Sequence, residues 1–347
     1  MTQKYSVLHI GNTAAIAKTL RDNLRAAGIQ SDIMTFFPDI LKQGADFPHP
    51  YPKWVRVNPP LYGALRMYHM LKKAGDYDVL HFHAFGGITF YLDYPLWRLM
   101  GKKIILHYHG TELRRFGRES PFARLAHKRY VATPDLLPLA PGATWFPAPL
   151  NISAHPFIGI EPKDPGEPLI VLNAVASERH GLDHKGLATI RAAVQRVQGT
   201  RPNIEFRSLI SVPYAEALKQ YQQGDIIIGQ THVGWYGQFE LECMLMGKPV
   251  ITYIDPAVAA LVPHLGPVPV APILQDNVAS LARQITDLAD DLPLRDRLGR
   301  DGRAFAERWH DADRIIPLLE RDYAEAVGDY RASAPTHETT GDSLRSN

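Results

Sequence analysis

Strand-like and helix-like segments alternate along this sequence, and the series begins twice. Tyr5–Ile10 and Val79–His83 are apolar runs typical of buried strands, and Ala14–Gly28 has the apolar spacing of a helix. The pattern resumes at Leu169–Ala174 and continues to Val250–Ile254. Because strands that alternate with helices form parallel sheets covered on both faces, the sequence predicts an α/β fold. We expect two Rossmann-like, doubly wound domains of similar size that face each other across a cleft.

A proline-rich stretch separates the two series. Its prolines have few periodic apolar residues between them, which is typical of a linker: Pro147, Pro149, Pro156, Pro162, Pro165 and Pro168. We therefore predict an N-terminal domain at residues 1–150, a linker at 151–168 and a C-terminal domain at 169–305. A helix at 306–330 is predicted to pack back, and the polar tail 331–347 to be disordered.

The composition is that of a globular protein without disulfides. Of the 347 residues, 45% are hydrophobic and 21% are charged. Cys243 is the only cysteine, so no intrachain disulfide can form, and a reducing compartment is favoured. We find neither a signal peptide nor an apolar run of about 20 residues, the length that a membrane span needs. We expect a cytoplasmic location, with or without peripheral contact at the inner face of the membrane.

The net charge of +2 conceals an asymmetry between the two halves. Residues 1–150 contain 19 Lys and Arg but 10 Asp and Glu, whereas the remainder contains 19 and 26. Much of the basic excess lies in Arg98, Lys102, Lys103, Arg114, Arg115, Arg118, Arg124, Lys128 and Arg129. Two interpretations stay open: a solvated basic face, or a surface that approaches anionic lipid or a lipid-phosphate acceptor. Nucleic acid is not expected, because aromatic residues are not interleaved as in known modules.

The segment Gly234–Glu242 and the residues after it predict a ligand pocket. A loop that ends at Gly237 would leave backbone N–H groups open at the start of a helix, where an anion is favoured. Glu242 would lie inside that helix, within reach of a sugar hydroxyl. A Gly-Lys-Pro sequence then ends the helix, and the strand Val250–Ile254 follows. Loop, helix, carboxylate and strand together suit a nucleotide-sugar site.

This stretch resembles the C-terminal half-site of GT-B fold glycosyltransferases, above all the retaining family 4. The family motif is Glu-x7-Glu followed by Ala-Met-Ala-x-Gly-x-Pro-Val-Ile. Glu242 falls on the second Glu, and later positions match in register: Met244, Gly247, Pro249, Val250 and Ile251. The first Glu falls on Gly234, which is a departure from the motif. The resemblance implies that Glu242 contacts the nucleotide ribose, whereas the sugar contact of the first Glu has no side chain here.

By the same resemblance, the loop around the motif binds the donor: Gly234, Trp235, Tyr236, Gly237, Gln238 and Phe239. A second loop leads from a strand into the helix that follows Lys185 and Gly186. Family members carry an Arg and a Lys-Gly there, commonly with four residues between them, and here five residues separate Arg179 from Lys185. Two cations at a helix N-terminus suit a diphosphate clamp. The alternative is a surface loop with scattered charges.

Two turns of the N-terminal domain complete the predicted site. The turn formed by Gly11, Asn12 and Thr13 follows the first strand, where family members have a loop that faces the acceptor. A plain tight turn is the alternative. His109 and Gly110 end a later strand, at the position where the family has a histidine beside the donor sugar. The alternative for His109 is a hydrogen bond to local backbone.

Metal chemistry is not predicted. His81 and His83 share one face of a strand because side chains alternate, but neither a carboxylate nor a further histidine joins them at ligand spacing. A buried or cleft histidine pair is therefore favoured over a metal pair. The sequence Asp76-Tyr77-Asp78 precedes a strand instead of ending one, and we interpret it as a turn.

The resemblance implies a hexosyltransferase that moves a hexose from a nucleoside diphosphate sugar to a hydroxyl of a glycan or lipid-linked acceptor. It further implies retention of configuration without a metal ion or other cofactor, because the two cations face the leaving diphosphate. Two alternatives stay open. A scaffold that binds nucleotide sugars without transfer would explain Gly234, and a GT-B nucleotide-sugar 2-epimerase would need no acceptor.

Overall fold

In a computed structural model, the described residues are 5–39, 41–84, 91–164, 167–175 and 185–328. The chain divides into two compact units. The first comprises Met1–Asp39, Gln43–Pro149 and Ala312–Asn347, and the second comprises Ile40–Lys42 and Leu150–Asp311. Residues 306–311 of the predicted returning helix therefore belong to the second unit. The tail predicted to be disordered, 331–347, lies outside the described residues.

Parallel strands form the sheet of the first unit. Its order within the described residues is β3-β2-β1-β4-β5-β6-β7, an arrangement typical of a doubly wound sheet. The strands are β1 (Ser6–Ile10), β2 (Gln30–Thr35), β3 (Phe47–Pro48), β4 (Val79–His83), β5 (Lys103–Tyr108), β6 (Lys128–Val131) and β7 (Thr144–Trp145). Every residue of β1 and β4 is buried. These are central strands covered on both faces, which explains their continuous rather than alternating burial.

Helices cover this sheet: α1 (Ile16–Ala26), α2 (Lys53–Arg56), α3 (Pro59–Ala74), α4 (Tyr94–Leu99), α5 (Thr111–Phe116) and the C-terminal α12 (Ala312–Val327). The stripe of α1 predicted from the sequence is buried at Ile16, Leu20 and Leu24. The side chain of Asn58 caps α3 by accepting a hydrogen bond from Leu61 N at 3.3 Å.

The C-terminal helix α12 belongs to the core of the first unit. Leu319 and Tyr323 pack in one cluster with Val7 and Leu20. Tyr323 also shares a 2.6 Å hydrogen bond with Nδ1 of His81 in β4. The last helix of the chain is therefore part of the N-terminal sheet's packing, and its buried stripe supplies apolar surface that the earlier helices do not.

A smaller parallel sheet forms the second unit, in the order β12-β11-β10-β8-β9 among the described residues. Its strands are β8 (Leu169–Val175), β9 (Ile204–Ile210), β10 (Ile226–Ile228), β11 (Val250–Thr252) and β12 (Ala271–Pro272). Its helices are α6 (Leu187–Gln198), α7 (Tyr214–Gln223), α8 (Gln238–Leu245), α9 (Pro256–Ala259), α10 (Val278–Asp290) and α11 (Leu292–His310). The sequence predicts a helix at 306–330, but extended backbone at Asp311 (φ −64°, ψ 121°) ends α11 within that range and separates it from α12.

The predicted linker lies against the second unit. The backbone N–H groups of Ile158 and Gly159 both donate to the carbonyl of Met246, at 3.0 Å. The ring of Phe157 occupies the space over Gly247, where an added side chain would overlap it. The glycine that ends α8 is therefore required both by its φ of +77° and by this ring.

Both sheets are parallel and alternate with helices, so the predicted α/β, doubly wound GT-B fold class is confirmed. Ligands of such folds bind beyond the carboxyl ends of the strands. In the first unit these ends lead to Gly11 after β1 and to His109 after β5. In the second unit, Gly229 follows β10, and Lys185 precedes α6. These are the candidate ligand-binding positions of each unit.

Candidate functional site

Gln230 organises the loop that leads from β10 into α8. Its side-chain oxygen accepts hydrogen bonds from the backbone N–H groups of His232 and Val233, at 2.9 and 2.5 Å. Its side-chain nitrogen donates to the carbonyls of Trp235 and Tyr253. Gln230 is buried, and all its polar atoms have partners, so one amide fixes the shape of the loop. No local sequence pattern predicts this role of Gln230.

Glu242 lies in α8 and is 1% exposed. Its Oε1 accepts hydrogen bonds from the Tyr214 hydroxyl at 2.7 Å and from Gln238 Nε2 at 3.0 Å. Burial raises the pKa of the Glu242 carboxyl to about 7, although both donors lower it, and the Glu240 carboxylate raises it further. At neutral pH the group is therefore divided between its acid and its carboxylate forms.

Lys185 lies beside the N-terminal turn of α8. Its ammonium is 3.2 Å from Oε1 of Glu240 and 5.3 Å from the centre of the Phe239 ring. Glu240 is fully buried, and its second oxygen accepts a hydrogen bond from Gly237 N at 3.2 Å. The Gly237 N–H, predicted to be open, is thus bonded to Glu240, a residue that the motif did not single out. The lysine nevertheless lies where an anion at the helix end would meet it.

Gly186 fixes the backbone next to Lys185. Its φ is +71°, and a Cβ at this position would overlap Oγ1 of Thr231. Thr231 N donates to the carbonyl of Lys185 at 3.0 Å, and Thr231 Oγ1 donates to Asp276 at 2.7 Å. A polar network therefore holds Lys185 and Gly186 in place, and position 186 has room only for glycine. Arg179 lies outside the described residues, and its place in the clamp stays a prediction.

Asp255 lies against the position where the family motif has its first glutamate. Gly234 has a φ of +83°, and a Cβ added there would lie 2.8 Å from Cβ of Asp255. Asp255 N donates to the carbonyl of Gly234 at 3.0 Å. A glutamate at position 234 would be strained and would displace Asp255. The departure from the motif is therefore accommodated by the fold around it.

The side chains of Trp235 and Tyr236 are buried, with 2% and 3% exposed. Their rings stack with centroids 4.8 Å apart. The Tyr236 hydroxyl shares a 3.0 Å hydrogen bond with His310 Nε2, and its ring packs edge-on against Phe305. These contacts seat the loop on α11. The predicted role of the two residues in donor binding stays a prediction.

In the first unit, Gly11 lies against β4. Its φ of +96° is in the region that favours glycine, and a Cβ there would lie 2.9 Å from the carbonyl oxygen of His83. Asn12 Nδ2 donates to the carbonyl of Gly44 at 3.2 Å, and Thr13 begins a short 3₁₀ turn. The predicted acceptor-side loop is therefore a turn held by backbone packing and one side-chain amide.

His109 is hydrogen-bonded to another histidine. Its Nε2 is 3.1 Å from Nδ1 of His83, and its backbone N–H donates to the Glu112 carboxylate. Burial lowers the pKa of His109 to about 3, so the ring is neutral at pH 7. Gly110 has a φ of +129°, and a Cβ there would overlap the Arg114 guanidinium. The turn after β5 thus presents a neutral, oriented imidazole.

A cluster of five histidines occupies β1, β4 and β5 and the turn that follows: His9, His81, His83, His107 and His109. Ring nitrogens of the first three lie within 4.8 Å of one another, and so do those of the last three. The expectation that no further histidine joins His81 and His83 is therefore wrong. Parallel register pairs His9 with His81 and His83 with His107, a proximity that spacing along the chain does not reveal.

The two doubly wound parallel units define the fold as GT-B, and a lysine and a buried carboxylate lie at one helix of the second unit. Residues 14–137 match the family model described as Glycosyltransferase Family 4. The resemblance to GT-B family 4 glycosyltransferases is thereby confirmed. Fold and family match together support a glycosyltransferase.

Solved structures of similar fold include proteins that are named for a nucleotide sugar or were solved with one. Sucrose-phosphate synthase from Thermosynechococcus elongatus is 15% identical, with a TM-score of 0.65, over 94% of this chain and 100% of that one. A provisionally assigned UDP-N-acetylglucosamine 2-epimerase from Listeria monocytogenes is 13% identical, with a TM-score of 0.60, over 94% and 97%. Anabaena Alr3699/HepE, solved with UDP-glucose, is 13% identical, with a TM-score of 0.58, over 92% and 100%. At these identities the likeness establishes the fold alone. No curated protein matches the sequence.

Proposed function

We propose that the protein transfers a hexose from a nucleoside diphosphate sugar to a hydroxyl acceptor, with retention of configuration and without a metal ion at the diphosphate. The observation that carries the proposal is the position of the Lys185 ammonium at the N-terminal turn of α8, the helix that also holds Glu242. Anabaena Alr3699/HepE, a neighbour in fold, was solved with UDP-glucose, which supports a nucleotide sugar as donor.

Lys185 is proposed to stabilise the leaving diphosphate. Negative charge builds on the diphosphate as the bond between sugar and phosphate breaks, and a fixed cation aimed at that charge lowers the barrier. The first-turn N–H groups of α8 add positive potential at the same point. Glu240 holds the ammonium in place before the donor arrives, and the diphosphate would then share it. Arg179 is proposed as the second cation.

Glu242 is proposed to accept hydrogen bonds from the ribose hydroxyls of the donor. Its Oε1 accepts a hydrogen bond from the Tyr214 hydroxyl. A ribose hydroxyl would take the place of this phenol or use the second carboxylate oxygen. Because a carboxylate accepts two such bonds and a carboxylic acid donates one, the ionised form is the competent one.

Asp255 is proposed to supply the sugar-contacting carboxylate that position 234 lacks. Its Cβ lies 2.8 Å from the point where a side chain at position 234 would begin. Its Oδ1 caps α9 by accepting a hydrogen bond from Ala257 N at 2.8 Å. This hydrogen bond fixes the position of the carboxylate. An aspartate at position 255 can therefore reach toward the sugar hydroxyls that a glutamate at position 234 would contact, although its side chain is shorter.

The predicted residues of the first unit are proposed to contact the donor sugar and the acceptor. His109 would bond a sugar hydroxyl, and the turn formed by Gly11, Asn12 and Thr13 would face the acceptor. Both lie at the carboxyl edge of one sheet, and both touch His83, through its ring and its backbone respectively. A neutral imidazole can hydrogen-bond a hydroxyl without adding charge beside the reacting carbon.

A basic apolar surface of the first unit is proposed to meet a lipid-linked acceptor at an anionic membrane. Helix α4 packs against the 3₁₀ turn Pro121–Leu125, and these segments with their flanks expose large apolar side chains: Leu96, Leu99, Met100, Phe122 and Leu125. Arg98 and Arg124 are exposed on the same segments. Apolar side chains can enter the lipid interface while arginines bind anionic headgroups.

Only part of the predicted basic set contributes to this surface. Ion pairs form between Arg114 and Asp135, between Lys128 and Asp322, and between Arg129 and Glu119. Their charges are compensated within the first unit. None of the described helices has the length and apolar character needed to cross a bilayer, so the proposed membrane contact is a peripheral one.

The proposed function is tested by release of nucleoside diphosphate from a panel of nucleotide sugars, with glycan and lipid-phosphate acceptors. Lys185→Ala should lower turnover by about 100-fold or more and leave the fold intact. Lys219→Ala, at an exposed position of α7, is the matched control and should keep full activity. Full activity in Lys185→Ala would show that Lys185 does not stabilise the leaving diphosphate, and it would refute the proposed clamp.

The same experiment separates the two alternatives. Tight binding of uridine or guanosine diphosphate without turnover of any donor would identify a scaffold, as the glycine at position 234 allows. Release of an epimerised sugar nucleotide in the absence of acceptor would identify a 2-epimerase, which the Listeria monocytogenes neighbour favours.

A further inference from the structure

Three histidines of the first unit meet where β1 and β4 adjoin. His9 pairs in parallel register with His81, and His83 lies on the same face of β4, two residues further on. All three are buried, with 0%, 0% and 3% exposed. One ring nitrogen from each lies within 4.8 Å of the other two. Three side chains from two strands thus converge on one point of the core.

The ring nitrogens of this trio are not all hydrogen-bonded. Nε2 of His81 is buried without a partner among the described residues, and so is Nε2 of His9. Buried polar atoms left unpaired are costly and rare, and an ion held between the rings would give Nε2 of His81 a partner. The buried strands of a parallel sheet normally carry Val, Ile or Leu. Five clustered histidines at such positions therefore require an explanation.

The partners that the rings do have suit metal ligands. A histidine that binds a metal commonly donates its other N–H to a neighbouring acceptor. His81 Nδ1 is 2.6 Å from the Tyr323 hydroxyl, and His83 Nδ1 is 3.1 Å from His109 Nε2. With protons on these two Nδ1 atoms, Nε2 of both His81 and His83 carries a lone pair directed into the trio.

The third proposed ligand atom is Nδ1 of His9, which lies close to Nε2 of His83. His9 Nδ1 is 3.1 Å from His83 Nε2. Two imidazole nitrogens bound to one tetrahedral ion at about 2.05 Å lie about 3.3 Å apart, so both rings can turn their lone pairs to a common ion with a small adjustment. Three neutral histidines form a donor set that zinc accepts, with the fourth position open to water.

We propose that His9 Nδ1, His81 Nε2 and His83 Nε2 bind one divalent transition-metal ion of the kind that imidazole prefers, such as Zn²⁺ or Co²⁺. The ion joins β1 to β4 in the core of the first unit. Because its ligands are buried, it enters as the unit folds. It also fixes the proton of His83 on Nδ1, which sets the hydrogen bond to His109. The assignment of this metal site does not rest on the proposed transfer reaction.

The test uses the full chain unfolded, freed of metal with a chelator, and refolded with Zn²⁺, with Co²⁺, or with chelator alone. We expect one ion per chain after removal of free metal, by elemental analysis. Refolding with Co²⁺ should give the visible absorption of a four-coordinate, nitrogen-ligated ion, and the metal-loaded protein should melt at a higher temperature than the chelator-treated one. Absence of a bound ion in the wild-type protein would overturn the proposal without recourse to any variant.

Variants locate the ion. His81→Gln should lose it, whereas His127→Gln, at an exposed histidine of the same unit, should keep it. Tyr323→Phe removes only the outer hydrogen bond and should weaken metal affinity by about 10- to 100-fold. Retention of the ion in His81→Gln with loss in His107→Gln would move the site to the other histidine group and so refute this assignment. Circular dichroism of each variant confirms that it has folded.

Discussion

The Lys185 ammonium lies 3.2 Å from Glu240 Oε1, and the same carboxylate accepts a hydrogen bond from Gly237 N at 3.2 Å. Glu240 therefore places a negative charge at the N-terminus of α8, where a diphosphate is proposed to bind. This arrangement holds the lysine in position, and it also opposes the approach of an anion. Glu240 thus helps to position Lys185 but weakens the affinity of the site for an anion.

Glu240→Gln should tighten the binding of nucleoside diphosphates by about fivefold, or about 1 kcal/mol. Glutamine has nearly the same shape, and its oxygen can still accept the hydrogen bond from Gly237, but its amide nitrogen then faces Lys185. The negative charge and the ion pair are both lost, which leaves the Lys185 ammonium to the ligand. Calorimetric titration with uridine and guanosine diphosphates measures the change. Glu216→Gln, at an exposed position of α7, should bind as the wild type does. Weaker binding by Glu240→Gln would mean that the carboxylate itself helps to hold the ligand.

Gly186→Ala should destabilise the protein by about 2–5 kcal/mol. A positive φ costs an alanine about 1–2 kcal/mol, and overlap with Thr231 adds an overpacking cost of about 1–3 kcal/mol. Gly28→Ala is the control, because Gly28 has a φ of +78° and nothing within 4 Å of an added Cβ. The free energy of unfolding in urea measures both. Equal losses in the two variants would show that the Thr231 contact has no effect.

The stability of the folded protein should depend on pH through Glu242. The pKa of this carboxyl is about 7 in the folded state, against an ordinary value of 4.5. The folded state thus binds the additional proton between these values, so the resulting stabilisation is complete below pH 4.5 and is lost as pH rises through 7. At 1.36 kcal/mol per pKa unit, the shift corresponds to about 3 kcal/mol.

Glu242→Gln removes the titration and tests its sign. The free energy of unfolding of the variant, relative to the wild type, should rise by about 3 kcal/mol between pH 4.5 and pH 8. Urea denaturation at both pH values gives the comparison. A difference that stays constant with pH would contradict the raised pKa.

Strand β4 could be predicted from the sequence because Val79–His83 is a short apolar run of strand length, and the structure has the predicted bounds. Strands β3, β7 and β12 were missed because each has two residues, too few to show any period. Their pairing is set by neighbouring strands and not by their own sequence.

Motif spacing identified Lys185 and Glu242 as candidates, but not the residues they touch. The bond between Lys185 and Glu240 depends on how the loop before α6 returns to α8, which no local pattern records. Asp255 reaches Gly234 only because the chain turns back after β11. Tertiary structure therefore determines which residues contact a site residue, even where the motif that contains it is local.

Replacement of both exposed arginines in Arg98→Gln/Arg124→Gln should weaken binding to anionic vesicles by about 25-fold, because each basic residue near the surface contributes about 1 kcal/mol. Cosedimentation with phosphatidylglycerol vesicles measures it, and rising salt should reduce the wild-type binding. Arg283→Gln, exposed on α10 of the second unit, should bind normally. Unchanged binding in the double variant, or equal binding to neutral phosphatidylcholine, would exclude this surface as the lipid contact.

Asp255→Asn should lower transfer by at least about tenfold with little change in stability. Asparagine caps a helix as well as aspartate does, so the hydrogen bond from Ala257 N is kept and only the charge is lost. Because the proposed contact is with the sugar, the affinity for free nucleoside diphosphate should be unchanged while turnover of the nucleotide sugar falls. This split separates Asp255 from Lys185, whose loss should weaken both. If Asp255→Asn transfers sugar at the wild-type rate, the carboxylate is a helix cap alone, and the sugar is held without an acidic side chain at this point.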